Sequence, residues 1–118
     1  MKTIEEKNRM IAEFMGFIKD DENLYLINDY RLRSESEYQA TYVSEMKFHI
    51  SWDWLMPVVE KIENIGFSVK IQRLKTSIHP LVEDKELFGF VCGDVSKKLE
   101  ITYDTIVQFI EFYNQKNK

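Results

Sequence analysis

At 118 residues, 44% of them hydrophobic and 31% charged, the chain is too apolar to be disordered and long enough to bury one core without staples. Its 20 acidic and 16 basic residues leave a net charge of -4, which argues against a protein that coats DNA or RNA by neutralising phosphates. Cys92 is the only cysteine, so no internal disulfide forms, and no apolar run approaches the ~20 residues of a membrane helix or makes the core of a signal peptide.

These bounds describe one soluble domain over residues 1–118, in a reducing, cytoplasmic setting. Thr3-Ile-Glu-Glu6 has the form of a capping box, in which Thr3 accepts from the Glu6 amide and Glu6 reaches back. Ile4, Ile11, Phe14 and Met15 follow near helical spacing and Gly16 suits a left-handed cap, so a helix is expected over 3–15 with Lys7, Arg9 and Glu13 facing water. Asp20-Asp21-Glu22 reads as a polar turn and Leu24-Tyr-Leu-Ile27 as a short strand. The charged, serine-bearing stretch 31–37 reads as a loop or hairpin tip, 38–43 as a second strand, and the alternation of Met46, Phe48 and Ile50 with Lys47 and His49 as a third extended piece.

Ser51 suits an N-cap and Asp53 complements the dipole of a helix whose stripe is Trp52, Leu55, Val59 and Ile62, widened by Val58 and Ile65. Pro57 conflicts with a helix interior, so either the helix starts nearer Asp53 or residues 52–56 form a separate turn. Asn64-Ile-Gly66 marks the exit. Phe67, Val69 and Ile71 alternate with Ser68, Lys70 and Gln72 and predict a strand. Residues 76–84, with His79-Pro80 inside, read as a loop, and Leu87-Phe-Gly-Phe-Val-Cys92 as a central strand because it has few polar positions. A last helix is expected from about Ser96 to Asn114, with Leu99, Tyr103, Ile106, Ile110 and Tyr113 on its apolar face and Phe109 beside it. The order of elements predicts an α+β fold: a small antiparallel sheet of about four strands with three helices packed mainly on one face.

Catalytic and cofactor signals are absent from this pattern. His49 and His79 sit in no zinc-ligand spacing, Cys92 has no flanking base, and there is no phosphate-cradling glycine loop, nucleophile elbow or dinucleotide fingerprint. No enzyme, metal or cofactor is therefore expected. Arg31, Arg33, Lys70 and Arg73 offer local phosphate contacts, and Tyr30, Tyr38 and Tyr42 offer stacking faces, but without an RNA-binding motif a mixed-charge sheet surface describes them better. Trp52 and Trp54 point about 160° apart on a helix, so they cannot share a core face. Trp52 joins the stripe. Trp54 is either an exposed interface anchor or is covered by the segment before Ser51.

Three blocks, Ile11-Ala-Glu-Phe-Met-Gly16, Ser51-Trp-Asp-Trp-Leu-Met-Pro-Val-Val-Glu-Lys-Ile-Glu63 and Ile106-Val-Gln-Phe-Ile-Glu-Phe-Tyr-Asn114, resemble small proteins encoded by phages and prophages of Bacteroidota. The blocks stand there in the same order and together span most of the chain. The resemblance implies an accessory protein of a mobile element and supplies no catalytic motif. Combined with the acidic charge, it leads us to expect a counter-defence protein that inhibits a host immune effector by stoichiometric binding. The sharpest version is an anti-CRISPR acting on an RNA-guided, type VI-B-like nuclease with its guide RNA. The alternatives are a sponge for a nucleotide immune signal and a phage accessory protein. The candidate interface residues are Trp54, Arg31, Arg33, Tyr38, Tyr42, Lys70 and Arg73.

Overall fold

The computed structural model describes residues 2–27, 39–72, 75–80, 88–91 and 97–116. Helix α1 runs Ile4–Phe14 and begins as its sequence dictates: the Glu6 amide donates to Thr3 Oγ1 at 3.1 Å. The return half of the box differs, because the Glu6 carboxylate meets the Thr3 hydroxyl, at 3.3 Å. The helix closes at Met15, and Gly16 follows at φ +79°, a conformation open to glycine and strained for other residues. Ile11, Ala12 and Phe14 are buried. Of the three charged residues expected in water, Glu13 is exposed; Arg9 is half-buried and donates to Asn23 Oδ1, and Lys7 lies 4.0 Å from Asp104 of the last helix.

The fold is α+β as expected, but among the described residues the strands form two three-stranded antiparallel sheets rather than one sheet of about four. The first has the order β1 (Ile18–Asp21), β2 (Leu24–Ile27), β3 (Gln39–Tyr42). The expected turn at 20–22 therefore moves. Ile18 and Lys19 pair with Leu26 and Tyr25, which draws both aspartates into β1 and leaves Glu22 and Asn23 as the turn. A register irregularity between Lys19 and Asp21 accommodates them.

The stretch 46–50 is not a strand. A 3-10 turn at Val43–Glu45 is followed by a second turn, in which the Ile50 and Ser51 amides both donate to the Lys47 carbonyl. Met46 and Phe48 are buried while Ile50 is exposed, so the alternation there reflects burial rather than extended backbone.

Helix α2 runs unbroken over Trp52–Asn64 with Pro57 inside it, so residues 52–56 form no separate turn and the helix starts one residue before Asp53. Burial explains the tolerance: Pro57 packs inward beside Leu55, Val58, Val59 and Ile62, whose apolar gain offsets one missing amide. Ser51 occupies the N-cap position without a side-chain cap bond. Gly66, at φ +108°, turns the chain out of the helix.

The second sheet has the order β4 (Phe67–Ile71), β5 (Lys75–Pro80), β6 (Phe88–Val91). Two expectations are overturned. Residues 75–80 are the central strand rather than part of a loop, and β6 pairs only with β5 among the described residues, at an edge. The polar composition of β5 hid it. Thr76 and Ser77 are buried because their hydroxyls find partners: Thr76 Oγ1 meets Thr102 Oγ1 at 2.8 Å, and Ser77 Oγ meets His79 Nε2 at 3.0 Å.

Helix α3, Lys98–Lys116, packs on β5 and β6, α2 on β4, and α1 on α3. The expected stripe holds: Tyr103, Ile106, Phe109 and Ile110 are buried, with Leu99 and Tyr113 packed against the core. Phe109 meets Phe67 edge to face at 4.8 Å and stacks on Tyr113 at 5.9 Å. Lys61 of α2 donates to the carbonyl of Phe14 and places its ammonium 5.0 Å above the Phe14 ring, supplying the cation that the last turn of α1 lacks.

A buried amide joins three distant parts of the chain. Asn8 is 1% exposed. The Tyr103 hydroxyl donates to its Oδ1 at 2.8 Å, while its Nδ2 donates to the Met46 carbonyl at 3.4 Å and lies 3.2 Å from His49 Nδ1. Nδ2 can only donate, so His49 Nδ1 accepts and the ring proton resides on Nε2. Burial lowers the His49 pKa from its ordinary 6.5 and holds the Tyr103 hydroxyl protonated.

Two outcomes follow. Below pH 6.5 the unfolded chain takes up a proton at residue 49 that the folded chain resists, so stability falls as pH is lowered from about 7.5 to about 6. Urea titrations across that window should show the fall in the native sequence and a smaller one in His49→Gln. Separately, Thr76→Val or Thr102→Val alone strands a buried hydroxyl and should cost about 1–3 kcal/mol, whereas the double variant should be less destabilised than the sum of the two.

Candidate protein interface

The first sheet has two apolar faces. Tyr25 and Ile27 point into the core, and the Tyr25 hydroxyl donates to Glu13 Oε1 at 3.0 Å. The register places Ile18, Leu26 and Ala40 in one row of the opposite face and Asp21, Leu24 and Tyr42 in the next. Tyr42 is 54% exposed and Ile18 46%, with Leu24 and Leu26 half-buried between them. The rim is acidic: Asp21 and Glu22 lie at one end, and Glu45 sits beside Tyr42, its carboxylate 3.4 Å from the Tyr42 amide. Charged Lys19, Asp20 and Asp21 line β1 and discourage strand addition at that edge, so a partner is offered the face.

A second feature lies along α2, where Trp52, Asp53, Met56, Pro57 and Glu60 line an open cleft of about 330 Å³. Met56 is 40% exposed, and neighbouring Ile50 is more open still. Lys61, one turn after Pro57, is held on the Phe14 carbonyl and ring.

The structure separates the residues singled out from the sequence. Arg31, Arg33, Tyr38 and Arg73 lie outside the described residues, as do Tyr30 and Cys92. Tyr42 stands on the outer face of the first sheet. Lys70 is exposed on β4, opposite Ser77 and on the reverse side from Val69 and Ile71. Trp54 is half-buried, edge to face with Phe48 at 5.2 Å, so the segment before Ser51 covers it. His49 belongs to the buried Asn8 network, and His79 to the second sheet. Sequence reasoning missed Ile18, Leu24 and Leu26. The signal was Leu24-Tyr-Leu-Ile27 itself, four apolar residues without alternation, which implies two apolar faces.

Among the described residues no His, Cys, Asp or Glu side chains cluster as a metal site, and no helix is long and apolar enough to cross a membrane. Burial raises the pKa of Asp104 and lowers that of Lys61, but each is held by a structural partner, Lys7 and the Phe14 carbonyl, rather than facing a cleft. Compared with protein-family models, curated proteins and solved structures, the chain has no match.

Trp54 and Tyr42 should separate in a stability series. Trp54→Ala removes the cover of Phe48 and should cost about 2–3 kcal/mol in urea unfolding, whereas Tyr42→Ala should stay within about 0.5 kcal/mol.

Proposed function

We propose that this chain is a non-catalytic binding protein that inhibits a host immune effector by occupying its surface in a stoichiometric complex. The observation that carries the reading is the outer face of the first sheet: an apolar centre with an exposed tyrosine, ringed by Asp21, Glu22 and Glu45. An apolar patch with an acidic rim suits a basic protein surface, and complementary charge speeds the encounter. The resemblance to phage and prophage proteins supplies the setting, the cytoplasm of an infected or lysogenic bacterium. The sharpest form is an anti-CRISPR acting on an RNA-guided, type VI-B-like nuclease and its guide RNA. A nucleotide sponge is the alternative; Arg31, Arg33, Arg73, Tyr30 and Tyr38, which would line its pocket, lie outside the described residues, and the apolar, acidic-rimmed face of the first sheet is what favours the binding-protein reading.

Tagged protein incubated with a Bacteroidota host lysate should recover a nuclease with its guide, and saturating protein should abolish target-RNA cleavage by that complex. Ile18→Ser combined with Tyr42→Ala should raise the concentration needed by about tenfold or more while leaving the fold intact. Undiminished cleavage at saturating protein would overturn the proposal.

A further inference from the structure

The two edges of the first sheet are built differently. β1 carries Lys19, Asp20 and Asp21 in succession and a register irregularity between Lys19 and Asp21, both of which hinder an added strand. β3 carries neither: Gln39–Tyr42 is uncharged and pairs with β2 in unbroken register. One bond fixes the direction of its backbone groups. The Val43 amide donates toward β2, to the Asn23 carbonyl at 2.9 Å. By alternation, residues 41 and 39 also bond toward β2, while the N–H and C=O of Ala40 and the N–H of Tyr42 point away from it. β3 ends the strand order, so among the described residues no strand meets those groups. Glu45 Oε1 of the same chain lies 3.4 Å from the Tyr42 amide, beyond the ~2.9 Å of a good bond. The same edge borders the apolar outer face. The row of Ile18 and Leu26 ends at Ala40 and that of Leu24 at Tyr42, both exposed, while Thr41 between them is buried.

We propose that the open edge of β3 receives an extended segment of the protein partner as an added antiparallel strand, with an apolar residue beside Ala40 and an arginine or lysine beside Tyr42 and Glu45. Only a backbone presents N–H and C=O groups at a strand's spacing, which selects a polypeptide over a phosphate or a free side chain. Antiparallel pairing lets Ala40 exchange both bonds with one residue and continues the sheet. The small Ala40 side chain leaves room for an apolar neighbour to lean toward Leu26. At the next pairing position a cation meets the Glu45 carboxylate as the added strand's carbonyl takes over the Tyr42 amide. A second copy of this chain suits the edge less well, because its own β3 brings no cation and another Glu45. That the partner is a protein rests on the binding-protein reading; the edge adds how the partner is gripped.

The test uses the full chain and the peptide acetyl-Thr-Arg-Thr-Val-Thr-amide, whose arginine falls opposite Tyr42 and valine opposite Ala40. The Ala40 and Tyr42 amide resonances should shift saturably. N-methylation of the valine removes the donor to the Ala40 carbonyl and should weaken binding about tenfold, whereas N-methylation of the central threonine, whose N–H faces away, should leave it within about twofold. Exchanging the arginine for glutamate should weaken it about fivefold. Ala40→Pro removes an outward N–H and no bond to β2, so the sheet should persist while the peptide is lost. Equal weakening by the two N-methyl groups, or no shift at millimolar peptide, overturns the proposal. So does a concentration-dependent doubling of mass that Ala40→Pro abolishes, which would put a second copy on the edge. The nuclease assay separates edge from function. Peptide binding without nuclease inhibition leaves the edge site and removes the function. Inhibition that survives Ala40→Pro unchanged, without peptide binding, removes the edge site alone.

Discussion

The buried amide of Asn8 fixes how the first helix meets the rest of the fold. It sits in the first helix, accepts from the last helix through Tyr103, and donates to the turn that leads into α2 through Met46 and His49. An asparagine without partners at that depth would be strongly destabilising, and in a dry site each bond is worth more than on the surface. The three contacts therefore act as a specification. Helix α1 can rotate or slide only by breaking them, and the apolar residues Ile11, Ala12 and Phe14 are delivered to the core in one register. Hydrophobic burial supplies the driving force but has no direction. The amide supplies the direction.

The three helices were legible because each carries a stripe, and the first two carry end signals as well: Thr3 and Gly16 for α1, Asp53 and Gly66 for α2, with the Tyr103 to Tyr113 periodicity alone for α3. The misreadings share one cause. Strand β5, Lys-Thr-Ser-Ile-His-Pro, is polar by composition, yet it is central because α3 presents Thr102 to Thr76 and Ser77 finds His79. Such pairing is a property of tertiary neighbours and leaves no local trace. The same holds for Pro57, whose penalty was visible in the sequence and whose buried compensation was not. Of the candidate interface, Lys70 stands exposed where alternation put it and Tyr42 is exposed as well, while Trp54 was undecidable from helical angle alone: the answer lay with Phe48, in a turn that mimics strand periodicity.

Acidic residues and apolar surface are not distributed independently on this chain. Both the outer face of the first sheet and the cleft on α2 combine exposed apolar side chains with carboxylates at their borders, and Lys61 of α2 is turned to structural use at the end of α1. The net charge of -4 thus understates the local field at these two places. That arrangement limits self-association, since two such acidic-rimmed patches repel, while leaving each open to a basic surface.

The Asn8 tie also constrains which sequences can share this fold. Residues 8, 49 and 103 divide one set of donors and acceptors among them, so a change at one leaves another with a buried, unmatched group. A leucine at position 8 is compatible with an apolar residue at 103 and not with tyrosine pointing the same way. Among relatives that keep this architecture, the three positions should therefore vary as a set, polar together or apolar together, and a lineage would cross between the two states only through a destabilised intermediate.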